Sequence, residues 1–416
     1  MNNEQLVLLK LLEAAATRSP LCVENIEPPD WETVFLLACD SKIDGLLFTT
    51  VSELQKPFAP DDEFLSTWKT VAFQKSFRQL NNNIRLFFLL ETLEAQGTAP
   101  VLFKGVFLAD LYETPSYRFS SDADILLEER HLPAAQRVME SLGYQHIPEL
   151  SKDAVNVWQM PGELRVELHT LLWEDYRGSR VDSLRDMALD KSVHLITLTS
   201  FNANVRGMGA TEHLIYLMYH LIKHMVYRGV MLRDFLDVSL FVNRHYDELD
   251  AERFWDSMKI LGYDGFCRDM FGSCVQLFGM NKGFCPQAGE SDPHSFLDEF
   301  MTYCIKNTRD GLNNVASDII FRSSLKRTEN SADGGTAKVG RLQILLRLCF
   351  PGTESLSSHY SYAKRFPILL PFAWIHRALQ LAFVGREGMS GADNVKKSLD
   401  ILNSRKRLLS RYNLLD

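Results

Sequence analysis

Apolar residues recur at helical spacing through the first hundred residues, and then the period changes. "EQLVLLKLLEAAA" (4–16), "WETVFLLACD" (31–40) and "IDGLLFTTVSEL" (43–54) each place apolar side chains three and four apart, the signature of one buried helix face. The stretch 62–97, "DEFLSTW" through "ETLEAQG", reads as one long amphipathic helix closed by Gly97. "APVLFKG" (99–105) is instead a short apolar strand, followed by a helix over "VFLADLYE" (106–113). "DADILL" (122–127) reads as a strand and "RHLPAAQRVMESLG" (130–143) as a helix ending at Gly143. "AVNVWQM" and "LRVELH" alternate apolar and polar residues across a Pro161-Gly162 turn, which predicts a hairpin. From about residue 210 the helical period returns, most clearly in "TEHLIYLMYHLIKHMVY" (211–227) and "MLRDFLDVSLFVNRHY" (231–246).

These elements predict an α+β fold: a small mixed sheet flanked by helices, with mainly helical N- and C-terminal regions. The expected division is 1–98 helical, 99–208 the sheet-bearing core, and 209–416 helical. The Ser-, Asn- and Gly-rich interval 324–340 reads as a loop. "FPILLPFAWIHRALQLAFV" (366–384) reads as a Pro-bounded core helix, since two prolines, His376 and Arg377 interrupt it; a partner- or membrane-docking role is the alternative.

Composition narrows the function classes. The formal charge of −8 gives no global basic field for nucleic acid, although "NSRKRLLSRY" (403–412) is locally basic. The seven cysteines, at 22, 39, 267, 274, 285, 304 and 349, include no C-x-x-C pair and read as reduced thiols. The N-terminus lacks a basic n-region, and no uninterrupted apolar run is long enough for a bilayer. A cytoplasmic location is the expectation.

The chemistry concentrates around Asp122-Ala123-Asp124. Strand side chains alternate faces, so both aspartates point the same way, and two such carboxylates repel unless a cation lies near them. Divalent cations bind oxygen ligands, and Mg²⁺ commonly takes one or two carboxylates together with substrate phosphates. The bland alternative is a turn aspartate followed by a solvated edge-strand aspartate. Glu167 favours the metal reading: it lies on another predicted strand, with Arg165 and His169 on its face. Upstream, Lys104 and Gly105 end one strand and open a helix. Glycine there permits close backbone approach to a phosphate, and Lys104 adds a point charge. Arg118, Ser120 and Ser121 are further candidate phosphate contacts.

Taken together, Phe103-Lys104-Gly105, Arg118, Asp122 to Leu127 and Val166-Glu167-Leu168-His169 resemble the nucleotidyltransferase superfamily whose best-known member is DNA polymerase β. More narrowly, they resemble an uncharacterised bacterial nucleotidyltransferase-like family. The resemblance extends to 220–242 and weakly to 362–379. It implies that Asp122, Asp124 and Glu167 carry Mg²⁺ or Mn²⁺, that the glycine turn holds triphosphate, and that a nucleoside monophosphate passes from an NTP, with ATP the expectation, to an acceptor, releasing pyrophosphate. The acceptor is a small molecule or a protein side chain. Lys-Gly stands where the superfamily usually has Gly-Ser or Gly-Gly, and the first aspartate follows at a longer interval. That departure motivates the alternative of a non-catalytic nucleotide- or partner-binding protein with the same fold.

Three weaker constellations remain. His220 and His224 share a helix face at i, i+4 but lack the zinc-protease glutamate, so they read as helix-face histidines at the cleft. Arg233, Asp234 and Asp237 sit within one turn of each other, either as an inter-helix salt bridge or as nucleotide contacts. His169 is expected to orient Glu167 or touch substrate.

Overall fold

A computed structural model of the protein describes residues 2–22, 26–151, 154–162, 164–174, 180–227, 230–285, 296, 300, 369–374 and 407–414. The N-terminal helices form where the periodicity predicts them. They are α1 (Asn3–Thr17), α2 (Trp31–Asp40), α3 (Asp44–Ser52) and α4 (Asp62–Ala95). Their starts have identifiable caps: Asn2 makes a capping box with Gln5, Asp30 accepts from Glu32 N–H, and Asp61 accepts from Phe64 N–H at 2.7 Å. Gly97 takes φ +73° just past α4, the left-handed conformation that ends a helix cheaply only at glycine. Trp68 of α4 is fully buried among Trp31, Phe35 and Phe64, and its indole N–H donates to Asp44 C=O. Burying a side chain of that size contributes about 3 kcal/mol.

The sheet-bearing segment runs β1 (Val101–Leu102), α5 (Val106–Ala109), β2 (Asp122–Leu126), α6 (Leu132–Ser141), β3 (Gln145–His146), β4 (Val155–Gln159), β5 (Arg165–His169), α7 (Val181–Asp186), β6 (Val193–Leu198) and β7 (Ala203–Met208). The strands make one seven-stranded mixed sheet in the order β3-β4-β5-β2-β1-β7-β6. The β4–β5 hairpin forms antiparallel as predicted, turning at Gly162 with φ +80°. β2 runs parallel to β5 and antiparallel to β1, so it is a central strand. The sheet has more strands than the sequence predicts. The β6–β7 hairpin lies at one edge, with His194, Leu195 and Thr197 facing solvent, and that exposure erases the apolar-polar alternation a strand normally shows. Helix α5 is also shorter than predicted: four residues, with the chain turning again before Pro115.

After the sheet, α8 (Ala210–Tyr227), α9 (Leu232–Arg244), α10 (Ala251–Ile260) and α11 (Asp264–Phe278) pack as a helical layer. From Leu214 to Val226 nearly every apolar side chain of α8 is buried, because α8 lies between the sheet and α9 and α10. The loop expected at 324–340 lies outside the described residues, as do Cys304, Cys349, most of 366–384 and residues 403–406; residues 370–374 and 407–411 are helical. The other five cysteines are free thiols. Among the described residues no helix is long and apolar enough to cross a membrane.

Candidate active site

The parallel pairing of β2 with β5 builds the site. Asp122 stands opposite Arg165, Asp124 opposite Glu167, and Leu126 opposite His169. Because both strands alternate in step, Asp122, Asp124, Arg165, Glu167 and His169 share one face, while Ala123, Ile125, Val166 and Leu168 enter the core on the other. Asp124 is 5% exposed on a central strand. The solvated edge-strand alternative therefore fails: burying a carboxylate is costly unless it is paired.

Two groups pair it. Lys104 Nζ lies 2.8 Å from Asp124 Oδ1, and His169 Nε2 lies 3.0 Å from the same oxygen. Burial alone would raise the Asp124 pKa; Lys104 and the His169 hydrogen bond outweigh it and hold the carboxyl well below the usual range. Glu167 behaves oppositely. Burial, then the Asp124 and Asp122 charges, push its carboxyl up. Two carboxylates on adjacent strands thus differ in proton affinity, as separate roles in acid–base chemistry require.

Asp124, Glu167 and His169 each offer a ligand atom, all within 4.8 Å of one another. Two carboxylate oxygens and an imidazole nitrogen converging so closely fit a divalent cation. Asp122, expected in that set, is outside this tightest group; it shares the face one strand pair away, with Ser121 Oγ 3.5 Å from its carboxylate. His169, expected to orient Glu167 or touch substrate, is 3.8 Å from Glu167 Oε2 and offers the one nitrogen atom of the group.

Helix α8 lines the site from the C-terminal side. His220 Nε2 is 3.4 Å from Lys104 Nζ, and the His220 and His224 rings are 4.1 Å apart. Burial, reinforced by Lys104 and His224, pushes the His220 pKa well below its ordinary value, so the ring is neutral at pH 7.

The glycine turn behaves as a backbone hinge. Gly105 has φ +60°, which only glycine adopts without strain, and its carbonyl accepts from Arg118 Nη1 at 2.9 Å. Arg118 was expected to face phosphates with its fork. The fork is spent elsewhere: Nε and Nη2 donate to the two oxygens of Asp237 at 2.8 and 2.7 Å, and Nη1 donates to Ser120 Oγ at 2.9 Å. Tyr112 O–H also donates to Asp237. Burial would raise the Asp237 carboxyl, but Arg118 overcomes it and holds it low. Asp234 caps the start of α9 through Met231 N–H, and Arg233 donates to Phe119 C=O. The α9 cluster therefore anchors loop 118–120, which feeds straight into β2.

Two participants escaped the sequence reading. Gln79 of α4 accepts from Ser120 N–H at 2.8 Å, buried beneath the loop. Lys42, on the turn between α2 and α3, extends Nζ to 3.5 Å from Ser121 Oγ. Burial and Arg233 lower the Lys42 pKa, while Asp122 and Asp234 oppose them. No local motif announces either residue, because each reaches the loop from a segment distant in sequence.

Comparison with curated proteins gives no match. A family described as uncharacterised nucleotidyltransferase matches residues 27–279, well over half the chain and a span that includes Lys42, both aspartates, Glu167, His169 and the α9 cluster. The chain belongs to that nucleotidyltransferase family.

Proposed function

We propose that the protein transfers a nucleoside monophosphate from an NTP, with ATP the first candidate, to a small-molecule or protein acceptor, releasing pyrophosphate. The observation that carries the reading is the register of β2 on β5, which sets Asp124 against Glu167 with Asp122 and His169 on the same face. Asp122, Asp124, Glu167 and His169 are the residues that would hold a divalent ion. Carboxylate oxygens with one imidazole suit Mn²⁺, which takes both donors, better than Mg²⁺, which favours oxygen. When bound, such an ion neutralises phosphate charge and polarises the attacked phosphorus.

The chain's own residues supply the rest. Glu167, through the carboxylate oxygen that does not face the ion, would receive the proton of the acceptor hydroxyl. Lys104 and Lys42 meet phosphate oxygens as point charges, and Ser121 donates a hydrogen bond. Ser120, Arg118, Arg233, Asp234 and Asp237 act behind these groups by holding the loop, and His220 and His224 wall the cleft. We assign the transferase core to 99–208, between helical regions 1–98 and 209–416, and a cytoplasmic site of action.

The test is transfer of label from each of the four [α-³²P]NTPs, with Mg²⁺ or Mn²⁺, into cell extract and a small-molecule pool. Wild type is expected to label one acceptor class from one preferred nucleotide, and Asp124→Asn none. Equal labelling by both proteins would refute the assignment. A second reading, a nucleotide-binding protein without turnover, draws on Lys104 already neutralising Asp124. Calorimetry showing NTP binding that is indifferent to divalent ions, together with no labelling, would select it.

A further inference from the structure

Helix α4 carries two apolar faces. The inner one includes Trp68, Ala72, Leu86, Leu89, Leu90 and Leu93, all buried. The outer one is exposed: Phe73 is 71% accessible, Phe77 59%, Leu80 48%, Ile84 59% and Phe88 59%. At 3.6 residues per turn these five fall within an arc of roughly 80°, along roughly 22 Å of helix. Isolated exposed apolar residues are ordinary, but a continuous stripe is not. We propose that this stripe is a homodimer interface, in which α4 packs antiparallel on α4 of a second copy about a two-fold axis near Leu80.

The spacing of the stripe selects a second copy as the occupant. Reversing the helix about a point midway between Leu80 and Asn81 sets Phe73 against Phe88 of the partner subunit and Phe77 against Ile84 of the partner subunit, and places the two Leu80 side chains beside the axis. A two-fold interface requires this reciprocity, since the same patch must complement itself. Charge follows the same symmetry. Lys69 and Glu91, both exposed, lie beyond the two ends of the stripe, and the same reversal brings each Lys69 within one residue of Glu91 of the partner subunit, inside the reach of a lysine side chain. The area is sufficient as well. Five side chains of this size, half or more exposed, present on the order of 500 Å² per copy. Two copies would bury on the order of 1,000 Å², the lower bound for a specific interface.

The same helix reaches the candidate site from its inner face. Gln79 accepts from Ser120 N–H, and Ser76 donates to Ser116. Association along the outer face would brace the helix that holds the loop ahead of β2. The proposal does not depend on the transferase reading.

Sedimentation of the full-length chain over a wide concentration range tests it. Wild type is expected to sediment as a dimer. Phe77→Glu combined with Ile84→Glu is expected to sediment as a monomer, with Kd raised at least about 100-fold, the far-UV circular dichroism of the folded chain kept because the stripe is exposed, and a melting temperature that no longer rises with protein concentration. Lys69→Glu alone should weaken the dimer about threefold to tenfold, and adding Glu91→Lys should restore it. Leu80→Cys, beside the axis, should cross-link to itself under mild oxidation, whereas Arg78→Cys, on the same helix off the stripe, should not. A wild-type monomer at every concentration would overturn the proposal; if the stripe then resisted labelling, a segment of the same chain would be its cover. Dimers that survive the double glutamate variant, or equal cross-linking at 80 and 78, would also overturn it.

Discussion

Two buried carboxylates close to each end of loop 118–121 each hold a cation, and the two pairs differ in what completes them. Arg118 and Asp237 are each 5% exposed, and four of the five guanidinium N–H groups donate to both Asp237 oxygens, Gly105 C=O and Ser120 Oγ. Lys104 and Asp124 meet through one ammonium, beside His169, His220 and a partly exposed Glu167. A bidentate pair fixes geometry, while a single point charge among convergent ligand atoms can exchange with another cation. The comparison teaches that nearness in sequence misleads. The arginine four residues before Asp122 holds the loop through Asp237, and the lysine eighteen residues before it is the one that meets Asp124 of the candidate metal group.

The comparison breaks if the two pairs respond alike. The largest stability effect is expected at Asp237→Asn, which leaves Arg118 charged and buried. Urea unfolding should show a loss of about 3–5 kcal/mol. Asp237 has a folded pKa below its unfolded value, so its contribution is full above the ordinary carboxylate range and fades as pH falls through the folded value. The wild type should therefore lose stability on acidification more steeply than Asp237→Asn. A parallel pair of pH–stability curves would contradict the structural role. Asp124→Asn should invert the pattern: transfer should fall about 10²–10³-fold, the usual consequence of losing a preorganised electrostatic group, while the loss in unfolding should stay below that of Asp237→Asn, because the Lys104 ammonium left behind is less buried than the Arg118 guanidinium.

Smaller effects sharpen the contrast. Gly105→Ala forces a side chain into φ +60° and should cost about 1–2 kcal/mol in unfolding experiments, with transfer lowered through the displaced Lys104. Space is not the obstacle there, since an added Cβ would meet only Asp122 C=O at 3.6 Å. Glu167→Gln removes a carboxylate crowded by Asp124 and Asp122 and should raise stability by about 1 kcal/mol in chelator while abolishing transfer. Lys42→Ala should leave stability unchanged and raise the nucleotide KM about threefold to tenfold; an unaltered KM would remove Lys42 from the site.

Much of this arrangement is written in local sequence. Periodicity marks α1 to α4, α8 and α9 because each buries one continuous face, and the Pro161-Gly162 turn marks the β4–β5 hairpin. Strand alternation alone puts Asp122 with Asp124 and Glu167 with His169, whereas the common face of the two pairs and their distances are set by the β2–β5 register. What escaped was set by tertiary partners. Arg118 meets Asp237 across more than a hundred residues, and Lys42 reaches Ser121 from the N-terminal helices. The β6–β7 hairpin escaped because an exposed edge needs no alternation. In α4 the outer stripe blended with the inner one, so a helix apolar on two faces read as ordinary amphipathicity.

The most direct measurement is Mn²⁺ binding followed by electron paramagnetic resonance in wild type, Asp124→Asn and His169→Gln. The predicted result is a tight Mn²⁺ site in wild type with nitrogen coupling from imidazole. His169→Gln should lose that coupling, and affinity should fall at least about tenfold in Asp124→Asn. Unchanged Mn²⁺ affinity in Asp124→Asn would contradict the account, because Asp124 would then be a partner for Lys104 and nothing more.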